Sequence, residues 1–168
     1  MIKATLYIVS ILFFLGVKGQ EHNASLKFHS VDIGFGFFLN NSFGGVNIHS
    51  SIALKSNKSL FAITAIAGGE INILGGTTAS FEEYNLMYGR EVKLAKWMSF
   101  EGFAGLGYYN QNSSKNAIQD SSSMSLPLKV NTKFYFNKRF GTGIMYSYTI
   151  NDVNNNFTAN LLFQYRLN

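Results

Sequence analysis

The sequence predicts an all-β chain: an eight-stranded, antiparallel, up-and-down transmembrane β-barrel. Three observations carry that reading. From about residue 28 to the end, segments alternate apolar with polar or small residues, and a period of two sends each set to its own face of a strand. The even-numbered connections between segments are tight, and the odd-numbered ones are longer and rich in Gly, Ser and Asn, as in barrels whose turns and loops lie on opposite sides of a membrane. The polar set carries charge of both signs deep within the strands, at Asp32, Lys55, Glu83, Glu101, Lys129, Lys133 and Arg166, where a soluble exterior would carry more Lys and Glu.

Residues 1–19 read as a secretory signal. Lys3 supplies a short basic start, Leu6 to Val17 an apolar stretch too short to span a bilayer, and Val17 and Gly19 the small residues before a cut. The mature chain then begins at Gln20 or close to it, and 20–168 is the barrel domain. Strands are expected at 28–39, 45–55, 59–69, 80–92, 96–109, 124–137, 139–150 and 156–167. The first sets Val31, Ile33, Phe35 and Phe37 against Ser30, Asp32, Gly34 and Gly36; the second sets Val46, Ile48, Ile52 and Leu54 against Asn47, His49, Ser51 and Lys55. The third is the weakest, with Phe61, Ile63, Ala65 and Ala67 outward. Tyr84, Leu86 and Tyr88 mark the fourth, and Phe100, Ala104, Leu106 and Tyr108 the fifth. The sixth alternates Leu126, Leu128, Val130, Phe134 and Phe136 with Pro127, Lys129, Asn131, Lys133 and Tyr135. In the seventh, Phe140, Ile144, Tyr146 and Tyr148 oppose Gly141, Gly143, Met145 and Ser147. The last alternates Phe157, Ala159, Leu161, Phe163, Tyr165 and Leu167 with Thr158, Asn160, Leu162, Gln164 and Arg166. Tight turns are expected around Ser56-Asn57-Lys58, Lys93-Leu94-Ala95 and Asn137-Lys138. The loops include Gly68 to Ala79, Asn110 to Ser123 and Asn151 to Asn155.

Composition narrows the class. No segment reaches 18 consecutive apolar residues, so a helical membrane protein is excluded. There is no Cys, so stability comes from a closed ladder and not from disulfides; the single Pro implies few ladder breaks. The net charge is +5, yet no run of Lys or Arg exceeds two residues. The cations therefore read as turn charges and lumen partners, not as a nucleic-acid footprint.

The expected lumen network is Asp32, His49, Glu101, Lys129, Lys133 and Arg166. Glu101 and Lys133 lie at similar distances from their short turns, within reach across neighbouring strands. Glycines on the polar face make room for Phe38, Phe103, Tyr109, Tyr135 and Met145, so a plugged lumen is expected and not an open pore. Aromatic residues gather into two interface girdles: Tyr84, Tyr108 and Tyr148 near the loops, and Tyr88, Trp97, Phe136, Phe140 and Tyr165 near the turns.

The signal ending Gly19-Gln20, the strand Phe103-Ala104-Gly105-Leu106-Gly107-Tyr108-Tyr109 and the closing Leu161-Leu162-Phe163-Gln164-Tyr165-Arg166-Leu167 resemble the small outer-membrane β-barrel proteins of Bacteroidota, similar in architecture to the OmpA and OmpX barrels. The resemblance covers the whole mature chain. It implies an export route to the outer membrane, and a last strand that signals to the barrel assembly machinery and usually ends in an aromatic residue. Here the chain ends Leu167-Asn168, with Tyr165 the last aromatic. No peptidoglycan-binding domain of the OmpA type is expected.

No catalytic, cofactor or metal site is expected. The three His show no metal-ligand spacing, and Gly68-Gly69 and Gly75-Gly76 precede no Lys-Ser or Lys-Thr. Glu82 and Glu83 fall on opposite faces and make no dyad. Asn-x-Ser/Thr sequons, from Asn23 to Asn156, reflect Asn-rich composition. Lipid A deacylases are also eight-stranded barrels and use a His-x-Ser pair. His49 and Ser51 share a face, but that family's pair lies in a late strand among motif residues missing here. The expected function is a non-enzymatic, monomeric outer-membrane barrel with a structural or surface-interaction role in the cell envelope. Its expected partners are outer-membrane lipid and lipopolysaccharide, with the assembly machinery during biogenesis. The alternatives are a secreted, soluble lipocalin-like barrel with its apolar face inward around a small apolar ligand, and a lipid A-modifying enzyme.

Overall fold

The alternation resolves into strands β1 (Lys27–Asn40), β2 (Gly44–Ser56), β3 (Ser59–Gly69), β4 (Ala79–Ala95), β5 (Met98–Ser113), β6 (Ser121–Tyr135), β7 (Phe140–Asn151) and β8 (Asn156–Arg166). In the computed structural model each pairs antiparallel with the next, and β8 pairs with β1, closing the barrel. The structure describes residues 25–71, 78–114 and 120–167. The signal segment, His22, Asn23, Gly75-Gly76, Ile118 and Asn168 lie outside them.

Every strand turns its apolar parity outward. On β1, Ile33, Phe35, Phe37 and Leu39 are exposed while Asp32, Phe38 and Asn40 are buried. On β8, Phe157, Leu161 and Phe163 are exposed while Thr158, Asn160 and Gln164 are buried. The lipocalin-like arrangement, with its apolar face inward, is the inverse of this one. On β4 the outward run Tyr84, Leu86, Tyr88 is bracketed by exposed Glu82 and Arg90. Eight residues of strand rise roughly 26 Å. At the usual tilt this gives about 20 Å along the axis, close to the height of an outer-membrane apolar band.

Several boundaries differ from the sequence expectation. Lys93, Leu94 and Ala95 belong to β4, which bulges between Lys93 and Ala95, and the turn falls at Lys96-Trp97. Both ends of the expected loop Asn110 to Ser123 are strand, at 110–113 and 121–123: Asn110 pairs with Ser122 and Gln111 with Ser121. Polar side chains do not prevent backbone pairing where both faces can be wet, so polarity was a poor marker of the strand end. The first connection, 41–43, is no longer than the sixth, 136–139. Asn residues build the short connections. The Asn40 Oδ1 accepts from the N–H groups of Ser42 and Phe43 at 2.9 and 2.7 Å. Asn137 does the same for Arg139 and Phe140, and Asn151 for Val153 and Asn154. Asn57 takes the left-handed conformation (φ 54°) that its two-residue hairpin needs. Pro127 cannot donate, and the β5–β6 ladder is interrupted there, between Ala104↔Leu128 and Gly107↔Ser125.

Glycine sets how closely the lumen side chains approach the wall. A Cβ on Gly36 would lie 1.9 Å from the Ala159 carbonyl oxygen, and one on Gly107 1.8 Å from the Asn85 Oδ1. Gly36→Val is therefore expected to destabilise the barrel by about 1–3 kcal/mol or to prevent its refolding. Denaturant titration of the refolded protein measures this, and a midpoint unchanged from the parent would refute it.

Candidate functional site

The turn-end half of the lumen holds a charge cluster that joins opposite walls. Lys133 on β6 reaches Asp32 on β1 at 3.0 Å and Glu101 on β5 at 2.9 Å, and Asn131 donates to Glu101 at 3.0 Å. Register places Ser99 opposite Lys133 and Glu101 opposite Asn131, so the Glu101–Lys133 pair is diagonal. Arg166 on β8 donates to Glu91 on β4 at 2.8 Å, its guanidinium stacked 3.6 Å from the Tyr135 ring centre. Lys55 on β2 donates to the other Glu91 oxygen. Thus Asp32, Glu91 and Glu101 face Lys55, Lys133 and Arg166, one cation for each carboxylate. All but Lys55 and Arg166 are almost wholly buried.

Glu91 is the central member that sequence reasoning missed. Its parity with Glu83 was the available signal, but the expected end of β4 at residue 92 placed it beside a turn. His29, at the start of β1, is buried beside this cluster. Its ring lies with Glu91 and Glu101, with potential ligand atoms within 4.8 Å of one another. Both Glu91 oxygens and one of Glu101 already accept from Lys55, Arg166 and Lys133, while the other Glu101 oxygen and the His29 Nε2 have no protein partner.

His49 and Lys129 do not join this network. Neither ring nitrogen of His49 has a protein partner, so His49 and Ser51 form no hydrogen bond of the kind a Ser–His pair needs. The Lys129 ammonium has no hydrogen-bond partner and lies over the Phe103 ring, 4.6 Å from its centre. Higher in the lumen, buried Glu83 accepts from Thr149 on β7 and from Asn85, both at 2.8 Å.

The loop end is plugged by rings. Phe38, Phe43, Ile66, Phe81 and Tyr109 form one buried cluster, with Phe38–Phe81 centroids 4.7 Å apart and Phe81–Tyr109 stacked at 5.6 Å. Asn154 latches over it, donating to Gln111 at 2.7 Å and accepting from Ser42 at 3.1 Å. A second apolar cluster of Ala53, Leu60, Ala62, Met87 and Phe103 fills the β2–β5 side. Phe38, Phe103, Tyr109 and Met145 are lumen fillers, as are Phe81 and Leu60, which parity alone did not single out.

Outside, Tyr84, Trp97, Tyr108, Phe136, Phe140, Tyr148 and Tyr165 are exposed, and Tyr88 is half-buried beside Phe61. Tyr84 sits opposite Tyr108 in the β4–β5 ladder, Trp97 stacks on Phe134, and Phe140 meets Tyr165 at 5.0 Å. The two ends differ in charge. Lys27, Lys58, Arg90, Lys93, Lys96, Lys138 and Arg139 are exposed toward the turn end. Among the described residues the loop end bears Glu70, Glu82, Asp120 and Asp152 and no Lys or Arg.

A closed eight-stranded barrel with an apolar exterior and a charged, plugged interior is the architecture of small bacterial outer-membrane barrels. Solved structures share the fold. Neisserial surface protein A is 11% identical, with a TM-score of 0.67 over 87% of this chain and 100% of that one. Ail, the attachment invasion locus protein of Yersinia pestis, solved with the heparin analogue sucrose octasulfate, is 17% identical, with a TM-score of 0.62 over 84% and 99%. The N-terminal β-barrel domain of Pseudomonas aeruginosa OprF is 12% identical, with a TM-score of 0.59 over 85% and 100%. No protein-family model and no curated protein matches the sequence.

Proposed function

We propose that this chain is a non-enzymatic, monomeric outer-membrane protein of the Bacteroidota type, which presents its loop end for surface interaction and does not conduct. One observation carries the reading: the barrel is apolar outside and filled with ion pairs and rings inside. An apolar belt of this extent is stable only in lipid. A lumen crossed by Lys133–Asp32 and Arg166–Glu91 and capped by Phe38, Phe43, Phe81 and Tyr109 leaves the loops as the surface for partners. Outer-membrane lipid and lipopolysaccharide surround the belt, and the assembly machinery acts during biogenesis.

Ail was solved with a polyanionic heparin analogue. The charges among the described residues of the loop end are all acidic, which disfavours such a ligand and favours a neutral or cationic partner. The test is gel mobility of protein from purified outer membranes, with and without boiling in SDS, alongside protease treatment of intact cells. A fast band that slows on boiling and loops cleaved from outside are expected. An unshifted band in the soluble fraction would overturn the reading.

A further inference from the structure

We propose that the turn-end mouth of the barrel is a binding site for a phosphate-bearing anion. The inference goes beyond the surface role above and does not depend on which partner the loops take. A half-open cavity of about 340 Å³ lies there, between the β4–β5 hairpin and the end of β8, lined by Lys93, Lys96, Ser99, Tyr135 and Arg166 with Ala95 and Met98. That volume lies within the range of small-ligand pockets.

Charge selects the ligand. Deeper in the lumen, Glu91, Glu101 and Asp32 are matched by Lys55, Lys133 and Arg166. Lys93 and Lys96 stand outside that balance: both are exposed, and neither has an ion-pair or hydrogen-bond partner among the described residues. The mouth thus carries about two surplus positive charges, the complement of a phosphate monoester, which carries about −1.5 to −2 near neutral pH.

The wall is pre-set to donate. The Arg166 guanidinium lies over the Tyr135 ring and donates to Glu91, and its Nε–H is buried at the cavity wall with no protein partner. Ser99 and Tyr135 share a hydrogen bond of 2.9 Å, so whichever hydroxyl accepts keeps its own proton to offer. A planar guanidinium, two mobile ammoniums and a hydroxyl suit a tetrahedral oxyanion better than a single carboxylate. The phosphate could come from a soluble molecule or from a lipid headgroup at the rim.

The test is calorimetric titration of the refolded full barrel, in an uncharged maltoside detergent at low salt, with inorganic phosphate. Saturable binding is expected, weakened at least tenfold by the double substitution Lys93→Gln, Lys96→Gln. It should stay within twofold of the parent in Lys138→Gln, Arg139→Gln, which removes equal charge outside the cavity. Both variants change exposed side chains, and the boiling-dependent gel shift verifies that they fold. No saturable binding, or equal loss in the two variants, would overturn the proposal. Repeating the titration in phosphatidylcholine vesicles with phosphatidic acid, against vesicles brought to the same surface charge with a fatty acid, separates the sources. Weaker apparent phosphate binding with phosphatidic acid supports the site and assigns it to headgroups; unchanged binding supports it and assigns it to a soluble anion.

Discussion

Lys133→Met is expected to destabilise the barrel by about 3–5 kcal/mol, the largest effect of any single lumen change. The ammonium reaches both Asp32 and Glu101 and is itself 1% exposed. Removing it leaves two buried carboxylates without their cation, and the cost is that of uncompensated charge, not of one lost contact. Guanidinium unfolding in detergent or lipid vesicles measures the effect. The triple variant Asp32→Asn, Glu101→Gln, Lys133→Met should recover most of the loss, because no charge remains to be neutralised. A loss below about 1 kcal/mol in the single variant would mean that lumen water solvates the carboxylates and that the cluster does not brace the walls.

Leu128→Arg on the outward face of β6 is expected to cost about 2–4 kcal/mol in a bilayer. Leu128 is exposed and lies between Ala104 and Tyr148 in the ladders, well inside the apolar belt. Asn112→Arg, also outward but above the belt, should cost little. Equal tolerance at the two positions would place the belt in water and end the membrane reading. Alternation alone suggests that an Arg at Asn131 on the opposite face is tolerated, since that face is polar. The structure revises this. Asn131 is 1% exposed and donates to Glu101. A larger cation there overfills the lumen and breaks that bond, at about 1–3 kcal/mol.

The number of strands, their order and the facing of their residues were legible because one variable, parity, decides all three. A strand buried on one side only cannot slip by one residue without turning Phe35 inward and Asp32 outward. The contacts inside were less legible. Parity says that Lys129 and Lys133 both point inward. It does not say that Lys133, paired as expected with Glu101 on the neighbouring strand, also finds Asp32 across the lumen while Lys129 lies over Phe103. That depends on the stagger between strands far apart in sequence, such as β1 and β6. Glu91 escaped for a related reason. Its partners Lys55 and Arg166 come from the second and last strands, and only closure of the barrel makes them neighbours. A plugged lumen with Phe38 and Tyr109 inside was legible, but Phe81's place in the ring cluster was not, because it reads locally as one more aromatic in a strand.

The unequal ends bear on how such a barrel enters a bilayer. A Lys or Arg forced through the middle of the hydrocarbon costs about 2.5–3.5 kcal/mol, and Asp or Glu cost less on the lipid face of a barrel. With Lys58, Lys93, Lys96, Lys138 and Arg139 at the turns and only acids among the described charges of the loop end, the cheaper leading edge is the loop end. The cations then stay on the side of entry and act as a stop. The distribution of described charge along the axis therefore favours the orientation in which the turns remain on the side of entry.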